Sequence, residues 1–123
     1  MTKRMPRRNP FSDAINGIIA SYRSERNLRI HVVLAAVAIG LGAWLRLNMA
    51  EWCWIALCIA LVITVELVNT AIEAWVDTVS PNEHPLAKKA KDAAAGAVLV
   101  AAIFAVAIGG IIYAPKLWML VVG

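Results

Sequence analysis

The sequence predicts an all-α membrane protein, with an N-terminal amphipathic surface helix followed by three transmembrane helices. Three observations carry that prediction. Hydrophobic residues make up 61% of the 123 positions, above the roughly 45–50% of soluble domains, and the mean hydropathy is +0.70. Two stretches, 52–65 and 93–114, contain no charged residue, as expected of segments solvated by hydrocarbon. The net charge of +4 gathers at the chain ends and loops. That distribution suits anionic lipid headgroups and lacks the folded basic face that nucleic-acid binding needs.

Residues 1–123 read as a single domain. Positions 1–10 hold Lys3, Arg4, Arg7 and Arg8 with two prolines, a basic tail with no cleavable signal peptide behind it. The surface helix is expected over 11–29, starting near Ser12. Phe11, Ile15, Ile18, Ile19 and Tyr22 fall on one face, which would lie on the bilayer surface. The first span is expected over about 30–46, with His31 and Trp44 reaching into the two interfaces. The second covers about 51–77. At 1.5 Å per residue it reaches about 40 Å, more than the ~30 Å of hydrocarbon, so Glu73 and Asp77 emerge while Glu66 stays below the surface.

Pro81 and Pro85 preclude a continuous helix through the next loop, and Pro85 suits the first position of a third span over about 85–114. Ala93, Gly96, Ala97 and Ala101 would let that span pack closely. Cys53 and Cys58, five residues apart, read as small hydrophobes rather than a bridge. The basic residues of the N-terminal region and the Lys88, Lys89, Lys91 cluster place the N-terminus and the 78–92 loop in the cytoplasm and the C-terminus outside.

The second span ends in chemistry. Glu66, Asn69, Glu73 and Asp77 are spaced by 3, 4 and 4 residues, which places them within roughly 80° of one another on a helix. A carboxylate in hydrocarbon costs about 2.5 kcal/mol or more, so Glu66 is expected to face protein or a polar cavity. Asp77 taken alone reads equally as an interface carboxylate. Glu25, one carboxylate among Arg23, Arg26 and Arg29, shares the cytoplasmic side.

Glu25, Glu73 and Asp77 are hard oxygen donors of the kind Mg²⁺ takes alongside phosphate. Lys91 could meet phosphate as a point charge. Glu66 could act as a base toward a lipid hydroxyl. The soluble phosphate-binding templates, GxxxxGK[ST] and a Gly-rich kinase loop, are absent. A small proton-coupled transporter explains Glu66 about as well, and a non-catalytic subunit of a membrane complex is a third reading. Three spans enclose a polar site less well than a larger bundle, which argues for an oligomer.

The stretch Glu66-x-x-Asn69-Thr70-Ala71-Ile72-Glu73-Ala74-x-Val76-Asp77, followed by His84-Pro85-Leu86-Ala87-Lys88-x-Ala90-Lys91-Asp92-x-Ala94-Ala95-Gly96-Ala97-Val98, resembles the prokaryotic diacylglycerol kinase family, which includes undecaprenol kinases. The resemblance covers the whole chain. It implies a kinase of the bacterial inner membrane that works as a homotrimer with shared active sites, using ATP and Mg²⁺ to phosphorylate a lipid alcohol. It implies Glu66 as catalytic base and Asn69 as a contact for the transferring phosphate or lipid head. Glu25 and Glu73 would hold the metal. Glu25, Glu73, Asp77, Asn82, Glu83, His84, Lys91 and Asp92 would line the nucleotide. Asn82 stands where an acidic residue is familiar, and Asp13 where an aromatic is. The HPLAKxAKDxAAGAV form leans toward undecaprenol over diacylglycerol as substrate.

Overall fold

The computed structural model describes residues 9–123, and the basic positions 1–8 lie outside the described residues. Four helices follow one another: α1 (Pro10–Ser24), α2 (Arg26–Trp44), α3 (Met49–Val79) and α4 (Pro85–Val122). The last three are long and apolar enough to cross a membrane.

The surface helix starts and stops earlier than its apolar periodicity suggested. Asn9 caps it, its side-chain oxygen accepting from the amides of Phe11 at 3.0 Å and Ser12 at 3.4 Å, with Pro10 in the first turn. A side-chain acceptor followed by proline satisfies the amides that a first turn leaves unpaired. At the other end Glu25 is extended (φ −109°, ψ 111°) and separates α1 from α2. Arg29 holds the break closed: its guanidinium donates to the carbonyls of Tyr22 at 3.0 Å and Arg23 at 2.8 Å, two of the acceptors that the end of α1 leaves open. The residues expected on the apolar face of α1, Phe11 to Tyr22, are exposed, which suits a helix lying on a bilayer.

The α2–α3 connection is a short chain reversal. The Leu47 amide donates to the Gly42 carbonyl at 3.1 Å and the Arg46 amide to Ala43 at 3.3 Å, a paired helix-ending pattern that needs a left-handed residue. Arg46 fills that place at φ 56°. Asn48 and Glu51 then exchange side-chain and backbone hydrogen bonds at 2.9 and 3.0 Å, which starts α3 with two amides satisfied.

This end of the bundle is packed around Leu47, Ile55 and Ile112, with Trp52 and Tyr113 against them. The Tyr113 hydroxyl donates to the Ala38 carbonyl at 2.7 Å and joins α4 to α2. A Cβ on Gly42 would stand 2.9 Å from Leu47 Cδ1 and Trp52 Cη2 and 3.1 Å from the Tyr113 hydroxyl. Gly42→Val is therefore expected to destabilise the protein by about 1–3 kcal/mol through overpacking, measured as a lower midpoint of denaturant unfolding in detergent.

α4 continues through Pro115 rather than ending near 114. Proline removes one helical donor, a loss that membrane helices absorb through neighbouring groups. Just beyond it Lys116 pairs with Glu51 at 3.2 Å. Ala94 and Ala101 of α4 are buried, and α4 lies most extensively against α3. Small residues permit that close approach. Most other large apolar side chains of the spans are exposed, the surface that lipid or neighbouring chains cover.

Candidate active site

α3 carries the polar stripe into the bundle. From Glu51, at the Lys116 end, to Glu66 is 15 residues, or about 22 Å of helix axis. From Glu66 to Asp77 is 11 residues, or about 16 Å. Glu66 is thus deep in the span, and its side chain is 2% exposed. It is the one buried charged residue among those described. The expectation that Glu66 faces protein holds, and a single chain suffices to enclose it. Its burial therefore gives no independent argument for an oligomer.

Apolar material lies on one side of Glu66 and polar material on the other. Toward the bilayer centre, a cavity of about 210 Å³ opens between α2, α3 and α4, with Val62 and Ile63 in its wall one turn from Glu66 and Tyr113 at its far end. Toward the α3–α4 loop lies a cleft of about 810 Å³. Its lining includes Glu73, Asp77, Asn82, Glu83, His84, Lys91 and Asp92. Seven of the eight residues expected at a nucleotide therefore border one cleft. Glu25 does not line it.

The stripe is hydrogen-bonded along itself but not completed. The Asn69 amide nitrogen donates to Glu73 Oε1 at 3.4 Å, and the Thr70 hydroxyl donates to the Glu66 carbonyl at 3.0 Å. Two acceptors remain buried with no hydrogen-bond donor among the described residues, Glu66 Oε1 and Asn69 Oδ1. His31 Nε2 comes within 3.2 Å of Glu66 Oε1 but is not aligned as a hydrogen bond. An unsatisfied buried acceptor costs about 1–3 kcal/mol, so each of these atoms has capacity for a further donor.

The rim is held more loosely. Lys91 pairs with Asp77 at 2.7 Å across the α3–α4 hairpin, and Lys88 with Asp92 at 2.6 Å within α4. The side chains of Lys91 and Asp77 are 39% and 65% exposed. Pairs this open contribute about 0–1 kcal/mol, so an incoming phosphate can displace Asp77 from Lys91 at little cost. His84 has a local role beside the expected one: its Nδ1 accepts from the Leu86 amide at 3.1 Å and caps α4 ahead of Pro85.

No cluster of three His, Cys, Asp or Glu side chains able to hold a metal occurs among the described residues. Mg²⁺ does not require one, since it is commonly held by one or two carboxylates with phosphate and water completing the shell. Glu73 has that chemistry at the cleft wall. Glu25 is half-buried and makes no side-chain capping bond to α2. At the cleft wall Glu73 supplies a donor that fits Mg²⁺, while Glu25 lies outside the cleft.

Sequence reasoning assigned His31 to the membrane interface, and the structure moves it to the site. The available signal was its position on α2. Leu28, His31, Ala35, Ala38 and Gly42 recur at steps of 3, 4, 3 and 4, the spacing of a face that packs against another helix. These residues are buried or half-buried.

The family described as prokaryotic diacylglycerol kinase matches residues 12–113. An undecaprenol kinase of Bacillus subtilis is 45% identical over 107 residues, covering 87% of this chain and 87% of that protein. A diacylglycerol kinase of Synechocystis is 43% identical over 113 residues, covering 91% of this chain and 65% of that protein. A diacylglycerol kinase of Escherichia coli K12 is 34% identical over 90 residues, covering 73% and 74%. Nothing in these likenesses favours a transporter. A match that runs from α1 into the second half of α4 places the chain in the prokaryotic diacylglycerol kinase family, and it is a multi-pass membrane lipid kinase.

Proposed function

We propose that the enzyme transfers the γ-phosphate of MgATP directly to the hydroxyl of undecaprenol, in preference to diacylglycerol, at the cytoplasmic face of the bacterial inner membrane. The observation that carries this reading is the pair of buried, donor-less acceptors, Glu66 Oε1 and Asn69 Oδ1, between an apolar cavity and a charged cleft. A lipid alcohol has the two matching parts: a chain for the cavity and one hydroxyl for the carboxylate. The choice of undecaprenol is supported by the Bacillus relative, which aligns over most of both chains.

Each residue then has a task. Glu66 accepts the hydroxyl proton as the lipid oxygen attacks, the work of a general base. Asn69 donates to Glu73 and offers its oxygen toward the reacting centre. Lys91 leaves Asp77 to neutralise phosphate charge. Asp77, Asn82, Glu83, His84 and Asp92 border the nucleotide. Bound Mg²⁺ supplies charge neutralisation on the phosphates, and Glu73 with Glu25 are the donors that would hold it. Assembly as a homotrimer with shared sites is part of the same reading. It is supported by Glu25 standing outside the cleft that Glu73 lines and by exposed apolar side chains such as Val37 and Val100. The N-terminus would be cytoplasmic and the C-terminus outside, from the basic residues flanking the spans.

The test is kcat/KM for undecaprenol and for diacylglycerol with MgATP in mixed micelles. Undecaprenol is expected to be preferred by about tenfold or more, about 1.4 kcal/mol in transition-state stabilisation. A reversed ratio would reassign the substrate to diacylglycerol. Transfer to neither would overturn the reading.

A further inference from the structure

His31 is the ionisable side chain nearest the reacting carboxylate, and the mechanism above leaves it unused. Its Nε2 lies 3.2 Å from Glu66 Oε1. With the carboxylate ionised and the imidazole hydrogen on Nδ1, both atoms are acceptors, so no hydrogen bond joins them and the gap can take one proton. The two side chains differ in burial within the chain, Glu66 at 2% exposed and His31 at 22%, and His31 lies in the second turn of α2, near the end of the span. His31 also lines the apolar cavity, beside the base. Other ionisable groups on the packed elements are Glu25, ahead of α2, and Glu73, on the same stripe of α3. α4 contributes Ala102, Ala105 and Val106 to the cavity that His31 lines, and its Lys91 is paired with Asp77.

We propose that His31 is the proton-accepting partner of Glu66, holding the carboxylate in place and carrying its proton to water after each transfer. The idea rests on the lipid-kinase reading above. When the lipid oxygen forms its bond to phosphorus and the bond from phosphorus to the ADP oxygen breaks, the hydroxyl proton goes to the Glu66 carboxylate. Glu66 is then a neutral acid in a site with almost no water contact, and a second turnover needs it ionised. The proton passes from Oε1 to the Nε2 lone pair of an imidazole that carries its hydrogen on Nδ1, and loss of a proton from the imidazolium to water, followed where it leaves from Nδ1 by exchange of the remaining one, restores that lone pair. No electron changes hands and no further reactant is needed. The 3.2 Å separation is within hydrogen-bond reach. His31 touches neither phosphate nor lipid hydroxyl in this scheme. It is a positioning residue that acts through Glu66.

The experiment measures kcat and lipid KM for the full-length enzyme, for His31→Gln and for His31→Ala, each with and without added imidazole, with MgATP binding as a check that the site is formed. The expected result is a kcat about 10–100-fold lower in both variants, within the range of acid–base contributions. Lipid KM should stay within about threefold, and imidazole should restore kcat in His31→Ala but not in His31→Gln, where the side chain fills the space. Either of two results overturns the proposal: His31→Gln turning over within twofold of the parent, or a loss in His31→Ala that imidazole leaves untouched. If the unsubstituted enzyme phosphorylates no lipid, it is the lipid-kinase reading that fails. If it does and the variants match it, only the role of His31 fails.

Discussion

Glu66→Gln is expected to lower kcat for lipid phosphorylation by about 10²–10⁴-fold, the usual contribution of a positioned base. A thousandfold loss corresponds to about 4 kcal/mol of transition-state stabilisation. The substitution keeps the shape of the side chain and removes its capacity to take a proton. Glu66 Oε1 has no aligned hydrogen-bond donor, and glutamine keeps a polar atom facing His31 Nε2, 3.2 Å away in the parent, so the neutral amide should replace the buried carboxylate with its packing kept. The variant should therefore fold as well as the parent and bind MgATP equally, since Glu66 does not line the cleft. The measurement is steady-state kcat beside the unfolding midpoint. A large fall in the midpoint would mean that lost structure, rather than lost base, explains the lost rate.

Lys91→Met should raise KM for MgATP by at least tenfold and lower kcat as well. Lys91 projects from α4 into the cleft, where its partner Asp77 is largely exposed. A surface pair of this kind holds it by about 1 kcal/mol at most, whereas charge-assisted contacts to phosphate are roughly twice as strong as neutral ones. Methionine preserves length and removes the charge. Lys116→Met provides the contrast. It breaks the pair with Glu51 at the opposite end of the bundle, and KM for MgATP should not move. Nucleotide titrations of both variants check the pair of expectations. Equal effects would mean that net charge, rather than the position of Lys91, governs affinity.

The spans and the polar stripe were legible because both follow from helical periodicity and the cost of burying charge. Glu66, Asn69, Glu73 and Asp77 needed only spacings of three and four residues to be placed together. The cleft was harder, since it forms between α3 and α4. Lys91 and Asp77 meet across 14 positions of sequence, and periodicity along one helix is silent on such a pair. The ends of α1 were misplaced because capping decided them. Asn9 and Arg29 supply hydrogen bonds to α1 that an apolar pattern does not record. The third span was expected to end near 114, where the uncharged run ends, but α4 continues through Pro115 to Val122. His31 was missed for a different reason. A histidine near the start of a span suits an interface, and its place in the packed stripe with Leu28, Ala35 and Ala38 was the competing signal.

In the proposed mechanism Glu66 works between the apolar cavity and the charged cleft, serving chemistry rather than binding. The most direct test measures MgATP binding and transfer of labelled γ-phosphate to undecaprenol on the same purified samples of parent and Glu66→Gln. The account predicts that both bind MgATP with the same affinity and that only the parent yields labelled lipid at an appreciable rate. Labelled lipid from Glu66→Gln at the parent's rate, or no MgATP binding by either protein, would contradict it.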